Sequence, residues 1–114
     1  MDNEFLQIDI ETHGTVTVIT PLGDIDLSKS SQLRNAIHPI LEETPSKIIV
    51  DLSHVPYMDS SGVATLIEGL QLSKQVNINF CLCALTQGVS SIIELARLDQ
   101  IFEIVDSKEE ALGE

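Results

Sequence analysis

Four consecutive residues, Asp59-Ser60-Ser61-Gly62, are the part of this sequence whose side chains are best suited to chemistry. They follow an apolar strand pattern at 48–52 and precede an amphipathic helix pattern at 63–70. Asp and Ser at such a junction are typical N-caps, because their oxygens accept hydrogen bonds from the free N–H groups of the first helical turn. The hydroxyls, placed at the partially positive start of a helix, are also suitable acceptors for a phosphoryl group. The stretch therefore indicates either an ordinary helix cap or a phosphorylation switch.

An enzyme active site is a weaker interpretation of the same region. A nucleophilic serine needs a base beside its hydroxyl and a group that orients this base. His54 is the histidine nearest to Ser60 along the chain, but it belongs to a loop that reverses the chain direction, and the sequence has no Gly-x-Ser-x-Gly elbow. Asp24, Asp26 and Asp59 could together hold a magnesium ion, although solvated loop carboxylates are the favoured explanation. We expect a chain that is not an enzyme.

Composition and charge narrow the class of protein further. A chain of 114 residues is expected to form one domain. Its 18 acidic and 6 basic residues give a net charge of −12, which disfavours direct binding to nucleic acid. The charge serves either solubility or a basic protein partner.

No apolar run approaches the roughly 20 residues that cross a bilayer, and the first residues lack the cationic start of a secretory signal. We therefore expect a cytoplasmic location and no membrane insertion.

The two cysteines, Cys81 and Cys83, lie one residue apart in a predicted strand, so their side chains share one face. A disulfide between them would close a very small, strained loop. No other Cys or His cluster completes a zinc site. Buried free thiols are the expected state.

Hydrophobic periodicity predicts an N-terminal hairpin. Leu6, Ile8 and Ile10 alternate with polar residues, as in a strand with one covered face. A second strand is predicted at 15–20, and the residues at 21–26 are predicted to form a loop.

Helix and strand patterns then alternate along the chain. The helix from Leu27-Ser28 contains Pro39, which is expected to kink or loosen its last turns without ending it. The remaining predicted elements are a strand at 47–52, a helix from Asp59-Ser60 to about Lys74, a strand at 78–85, a helix with Val89, Ile92, Ile93 and Ala96 on one face, a strand at 101–105, and a short helix capped by Ser107. This order predicts an α/β fold with a largely parallel sheet.

Three motifs resemble those of STAS domains, and more narrowly those of bacterial anti-anti-sigma factors, also called anti-sigma factor antagonists. They are Gly23-Asp24-Ile25-Asp26, Met58-Asp59-Ser60-Ser61-Gly62-Val63 and the C-terminal segment Leu98–Ile104. The resemblance covers nearly the whole chain and implies a single STAS domain over residues 1–114. The implied fold has a mixed, mostly parallel sheet of about five strands, an N-terminal β-hairpin, helices packed chiefly on one face, and an exposed serine-bearing helix start.

The resemblance also implies a function. Unmodified antagonists of this family bind an anti-sigma factor, which is also an ATP-dependent serine kinase, and so free the sigma factor. The kinase phosphorylates the first serine of the motif, here Ser60, and the complex dissociates until a metal-dependent serine phosphatase reverses the modification. ATP and magnesium would belong to the kinase, so this chain needs no cofactor or metal.

Roles for the neighbouring residues follow from the same resemblance. Asp59 caps the helix and orients the serine loop, and it either does no more than cap or takes a direct part in phosphotransfer. Ser61 supports the loop by hydrogen bonding. Gly62 either lets the partner's backbone approach closely or avoids a clash with the sheet. Asp24 and Asp26 either dock the kinase or form an exposed turn without a partner.

A second function is compatible with the same fold. STAS domains also serve as non-switching scaffold subunits of larger complexes, such as lipid-transport ABC systems. A small acid-dependent hydrolase is a third and weaker possibility. The sequence leaves the oligomeric state open.

Overall fold

The structure, a computed structural model, describes residues 5–113, which form one five-stranded sheet and the helices that pack on it. The elements in chain order are β1 (Gln7–His13), β2 (Val16–Leu22), α1 (Leu27–Glu42), β3 (Lys47–Asp51), α2 (Ser60–Gln75), β4 (Asn79–Cys83), α3 (Gln87–Leu95), a 3₁₀ turn (Leu98–Gln100), β5 (Glu103–Val105) and α4 (Lys108–Leu112).

The strands lie in the sheet in the order in which they occur along the chain. β1 and β2 form an antiparallel hairpin, and every later neighbouring pair is parallel. Parallel neighbours need a crossover connection, which α1, α2 and α3 provide. The predicted hairpin and mostly parallel α/β sheet are confirmed.

The helices are unequally distributed between the two faces of the sheet. α1, α2 and α3 cover one face through Leu33, Leu66 and Ile93, which belong to one buried cluster with Ile48 and Val50 of β3. On the other face, α4 covers a smaller cluster, whose buried members are Val18, Ile49, Cys81, Cys83 and Ala111. The prediction of helices packed chiefly on one face is confirmed.

The loop predicted at 21–26 begins too early, because β2 continues through Pro21 to Leu22. Pairing between β2 and β3 stops at Ile19 and Val50, whereas pairing with β1 continues past Pro21. Pro21 lies beyond the last β2 residue that pairs with β3. Its missing N–H group therefore costs no hydrogen bond to that strand. The prediction that α1 continues past Pro39 is confirmed, because the helix extends to Glu42.

Three apolar residues differ from their predicted environments. Ile10 is 52% exposed, because β1 is an edge strand that the helices cover only at its beginning. Ala96 is exposed and follows the end of α3, since the chain turns at Arg97 with a φ of 59°. Ile101 follows the 3₁₀ turn and precedes β5, which begins only at Glu103. β4 is also shorter than predicted, because Ala84 has a φ of 57°.

Both cysteines are buried free thiols on the α4 side of the sheet, as predicted. Burial raises the pKa of Cys81 to about 11. Burial, assisted by the nearby Asp51 carboxylate, raises the pKa of Cys83 to about 12. The thiols are therefore protonated at neutral pH and function as core residues. Among the described residues, no helix combines the length and apolar character needed to cross a membrane.

Candidate functional site

Two loops at the same edge of the sheet position the predicted site. We call residues 23–26, before α1, the aspartate loop, and residues 52–59, before α2, the serine loop. Three backbone hydrogen bonds join them: Gly23 N–H to the His54 carbonyl (3.0 Å), Ile25 N–H to the Tyr57 carbonyl (3.0 Å), and Asp59 N–H to the Ile25 carbonyl (3.1 Å). This pairing places the starts of α1 and α2 side by side.

The two helices begin with the same local motif, Asp-x-Ser. The Asp26 carboxylate accepts hydrogen bonds from the N–H (3.1 Å) and hydroxyl (2.7 Å) of Ser28. The Asp59 carboxylate accepts from the N–H (2.9 Å) and hydroxyl (2.5 Å) of Ser61 and from the N–H of Gly62 (3.4 Å). Each aspartate therefore satisfies donors that the first helical turn leaves free.

These contacts keep both carboxylates ionised. The Ser61 hydroxyl bond, helped by the N–H groups of Ser61, Gly62 and Leu27 and partly opposed by burial, lowers the pKa of Asp59. The hydroxyl bond from Ser28 likewise lowers the pKa of Asp26, although the nearby Asp59 carboxylate acts in the opposite direction. The paired helix starts thus carry two negative charges at neutral pH.

The two serines of the motif have different environments. Ser60 is the first residue of α2, its side chain is exposed, and within residues 5–113 its hydroxyl has no hydrogen-bond partner. The Ser61 hydroxyl is partly buried and bound to Asp59. Leu27 holds the corresponding first position of α1. Of the two motif serines, Ser60 is therefore the one whose hydroxyl is exposed and, within residues 5–113, without a hydrogen-bond partner.

Gly62 is buried beneath both loops. A Cβ atom at this position would lie 2.5 Å from Met58 Cγ and 2.9 Å from Ile25 Cγ2, much closer than packed atoms approach. A larger residue would therefore clash with the loops rather than with the sheet. This packing within the domain is enough to explain why position 62 is a glycine, and no contact with a binding partner is needed. It also brings the start of α2 close to the aspartate loop.

The start of α3 holds the serine loop from the other side. The Thr86 hydroxyl donates to the Val55 carbonyl over 2.7 Å. A Cβ atom at Gly88 would lie 2.4 Å from the Pro56 carbonyl oxygen, so only glycine allows this approach. Sequence reasoning missed both residues, because Thr86-Gln87-Gly88 has the composition of an ordinary turn and no local pattern indicates a contact 31 residues away.

Asp24, Asp26 and Asp59 do not form a metal site. Within residues 5–113 no group of three or more His, Cys, Asp or Glu side chains is arranged to hold a metal ion. Asp24 is exposed in the aspartate loop, whereas the other two aspartates are engaged in capping. His54 is exposed, and its carbonyl pairs with the aspartate loop.

Exposed apolar side chains also occur at this edge, which the sequence analysis did not predict. Leu27 is 77% exposed, and Tyr57 in the serine loop is 53% exposed. Protein interfaces are enriched in Tyr and have a polar rim around an apolar centre, so this edge is suited to contact with a protein partner.

The sequence profile of the STAS domain family matches residues 7–111, so this chain belongs to the STAS domain family. An anti-sigma F factor antagonist of Paenibacillus polymyxa is 26% identical to it over 110 residues, which cover 96% of this chain and 94% of that protein. The anti-sigma-F factor antagonist RsfB of Mycobacterium tuberculosis is 26% identical over 107 residues, covering 94% of this chain and 87% of RsfB.

A solved crystal structure is also similar to this chain over nearly its whole length. The crystal structure of an anti-sigma factor antagonist from Mycobacterium paratuberculosis has a TM-score of 0.88 to this chain at 26% identity, covering 98% of this chain and 95% of that one. The similarity extends over the whole sheet and its helices and is not limited to the serine motif.

Proposed function

We propose that this protein is an anti-sigma factor antagonist that binds an anti-sigma factor through the paired starts of α1 and α2, and that phosphorylation of Ser60 ends this binding. The observation that carries the proposal is the free, exposed Ser60 hydroxyl at the first position of α2. The names of the relatives from Paenibacillus polymyxa and Mycobacterium tuberculosis support the antagonist role.

A phosphate on Ser60 would act locally. It adds about 1.5 to 2 negative charges at pH 7, next to the ionised carboxylates of Asp26 and Asp59. In the free protein these charges face water and the positive end of α2, so the domain tolerates them. In a complex the same charges would lie against the partner, and a loss of about 3 kcal/mol weakens binding more than a hundredfold.

The remaining site residues have supporting roles in this proposal. Asp59 and Ser61 stabilise the first turn of α2 through their hydrogen bonds, and Gly62 lets α2 pack against the aspartate loop. Asp24 and Asp26 contact the anti-sigma factor. This partner is the serine kinase, which brings ATP and magnesium, and a serine phosphatase restores Ser60.

The test measures binding to a purified anti-sigma factor. Ser60→Ala serves as bait in an extract of the native host, the captured anti-sigma factor is identified by mass spectrometry, and that protein is then produced and purified. Calorimetry compares wild type, Ser60→Ala and Ser60→Asp, with Ser61→Ala as the neighbouring hydroxyl control. Ser60→Ala should bind like wild type, and Ser60→Asp should bind at least tenfold more weakly.

Modification is measured separately. Incubation with the anti-sigma factor and ATP-magnesium should add one phosphate to Ser60 of wild type and none to Ser60→Ala. Equal affinity of wild type and both Ser60 variants would refute the switch. A chain that stays unmodified in its host and is isolated in a stable complex with transport proteins would instead favour the scaffold function.

A further inference from the structure

Helix α3 has one face buried in the core and a second face that the rest of the domain covers only in part. Val89 and Ile93 are fully buried in the core. The second face contains positions 88, 91, 92 and 95, whose spacing of three and four residues places them in one row. Ile92 is partly buried, whereas Leu95 is 86% exposed. The predicted stripe of α3 included Ile92 but not Leu95.

Between this second face and the serine loop lies a shallow, open groove of about 420 Å³. The lining residues include Tyr57, Met58, Asp59 and Ser60 on one side and Ile92 and Leu95 of α3 on the other. Met58 is almost fully buried, and the tight contact between Gly88 and the Pro56 carbonyl holds the two sides together. The groove is therefore formed before any partner binds.

We propose that the groove receives an apolar side chain of the anti-sigma factor, and that basic residues flank this side chain in the partner. The inference rests on the proposed function and names the surface that recognises the partner. Leu95 and Tyr57 supply apolar area that water now covers, and burying such area drives association.

Charge determines what surrounds the inserted side chain. The protein has a net charge of −12, and the ionised Asp59 lies at the groove while Asp26 lies on the adjoining loop. A second acidic copy of this chain would be repelled from this surface, whereas a basic partner surface is attracted to it. Electrostatic complementarity therefore selects a partner with Lys or Arg beside its apolar side chain.

The position of Ser60 explains how a phosphate would act on this contact. Ser60 lines the groove, so its phosphate would lie beside the inserted side chain. The complex would then have to remove water from a doubly charged group next to an apolar one, which is unfavourable. Release requires no change in the fold of the domain.

The experiment uses Leu95 variants with a matched control at Val76. Val76 is also an exposed aliphatic residue (48%), but it follows the last residue of α2, about 24 Å along a 16-residue helix from Ser60. The dissociation constant for the purified anti-sigma factor is measured by calorimetry. Leu95→Ala should weaken binding about tenfold, equal to about 1.4 kcal/mol, and Leu95→Glu at least a hundredfold. Val76→Ala and Val76→Glu should stay within about twofold of wild type. Thermal unfolding checks that every variant is folded.

The outcomes separate this inference from the proposed function. If wild type binds the anti-sigma factor and Leu95→Glu binds within threefold of it, the groove is not the recognition surface, although the function stands. If wild type binds no anti-sigma factor, the proposed function fails, and the groove is then tested alone by NMR titration with N-acetyl-leucinamide. Shifts confined to Tyr57, Ile92 and Leu95 would support an apolar site, and their absence would overturn it. Affinity for the anti-sigma factor that does not fall with added salt would refute the basic flank.

Discussion

The hydrogen bond between Ser61 and Asp59 should couple the stability of the domain to the charge of one carboxylate. Asp59→Ala removes an N-cap that accepts three hydrogen bonds, at 2.5, 2.9 and 3.4 Å. Loss of a cap costs about 0.5–2 kcal/mol, and bonds to a charged acceptor are stronger than neutral ones. We expect Asp59→Ala to lose about 2 kcal/mol of unfolding free energy, or about 8 °C in Tm.

A double-mutant cycle isolates the bond itself. Ser61→Ala alone should cost about 1 kcal/mol, and because both changes remove the same bond, the double variant should be about 1 kcal/mol more stable than the sum of the two losses predicts. Urea unfolding, followed by circular dichroism, measures all four proteins. Asp26→Ala, which removes the related cap of α1, is the matched control and should show no coupling to Ser61.

The stabilisation that Asp59 provides should decrease as the pH is lowered. The folded pKa of Asp59 is lowered below its unfolded value, so its stabilisation is fully present above the unfolded pKa of about 3.9 and is lost as the pH falls through the folded pKa. The coupling between Asp59 and Ser61 should therefore be constant from pH 7 to about pH 5 and should shrink as the pH falls through the lowered folded pKa of Asp59. Additive losses at pH 7, or a coupling that does not change with pH, would refute a charged cap.

Three further predictions concern other parts of the molecule. Gly88→Ala should destabilise the domain by about 2 kcal/mol, because the added Cβ would lie 2.4 Å from the Pro56 carbonyl oxygen. Urea unfolding measures this loss, and an unchanged urea midpoint would contradict the packing. Cys81 and Cys83 should not react with a thiol reagent at pH 8 in the folded protein, since burial raises the pKa values of their thiols to about 11 and 12. Both should react in urea. Rapid labelling without urea would show that α4 does not protect them. Ser60→Asp should leave the unfolding free energy within about 0.5 kcal/mol of wild type, because an anion at a helix start is tolerated; a larger loss would mean that phosphorylation acts by unfolding.

Part of this site could be predicted from the sequence because it depends on neighbours along the chain. The cap of Asp59, the support from Ser61 and the start of α2 involve residues at most three positions apart. The helices and the order of the elements follow from hydrophobic periodicity, which requires only a covered and an uncovered face. The errors occurred where tertiary context prevails: Pro21 continues a strand because β3 has ended beside it, and Ile10 is exposed because β1 is at the edge of the sheet.

The sequence alone therefore determined the fold class, the starts of α1 and α2, and the motif that carries the serine. Only the tertiary structure decided that the two capped helix starts lie side by side and that α3 borders an open groove beside the serine loop. The contacts responsible, between Thr86 and Val55 and between Ile25 and Asp59, join residues about 30 positions apart. Their formation depends on how the sheet orders its strands, which no local pattern of residues contains.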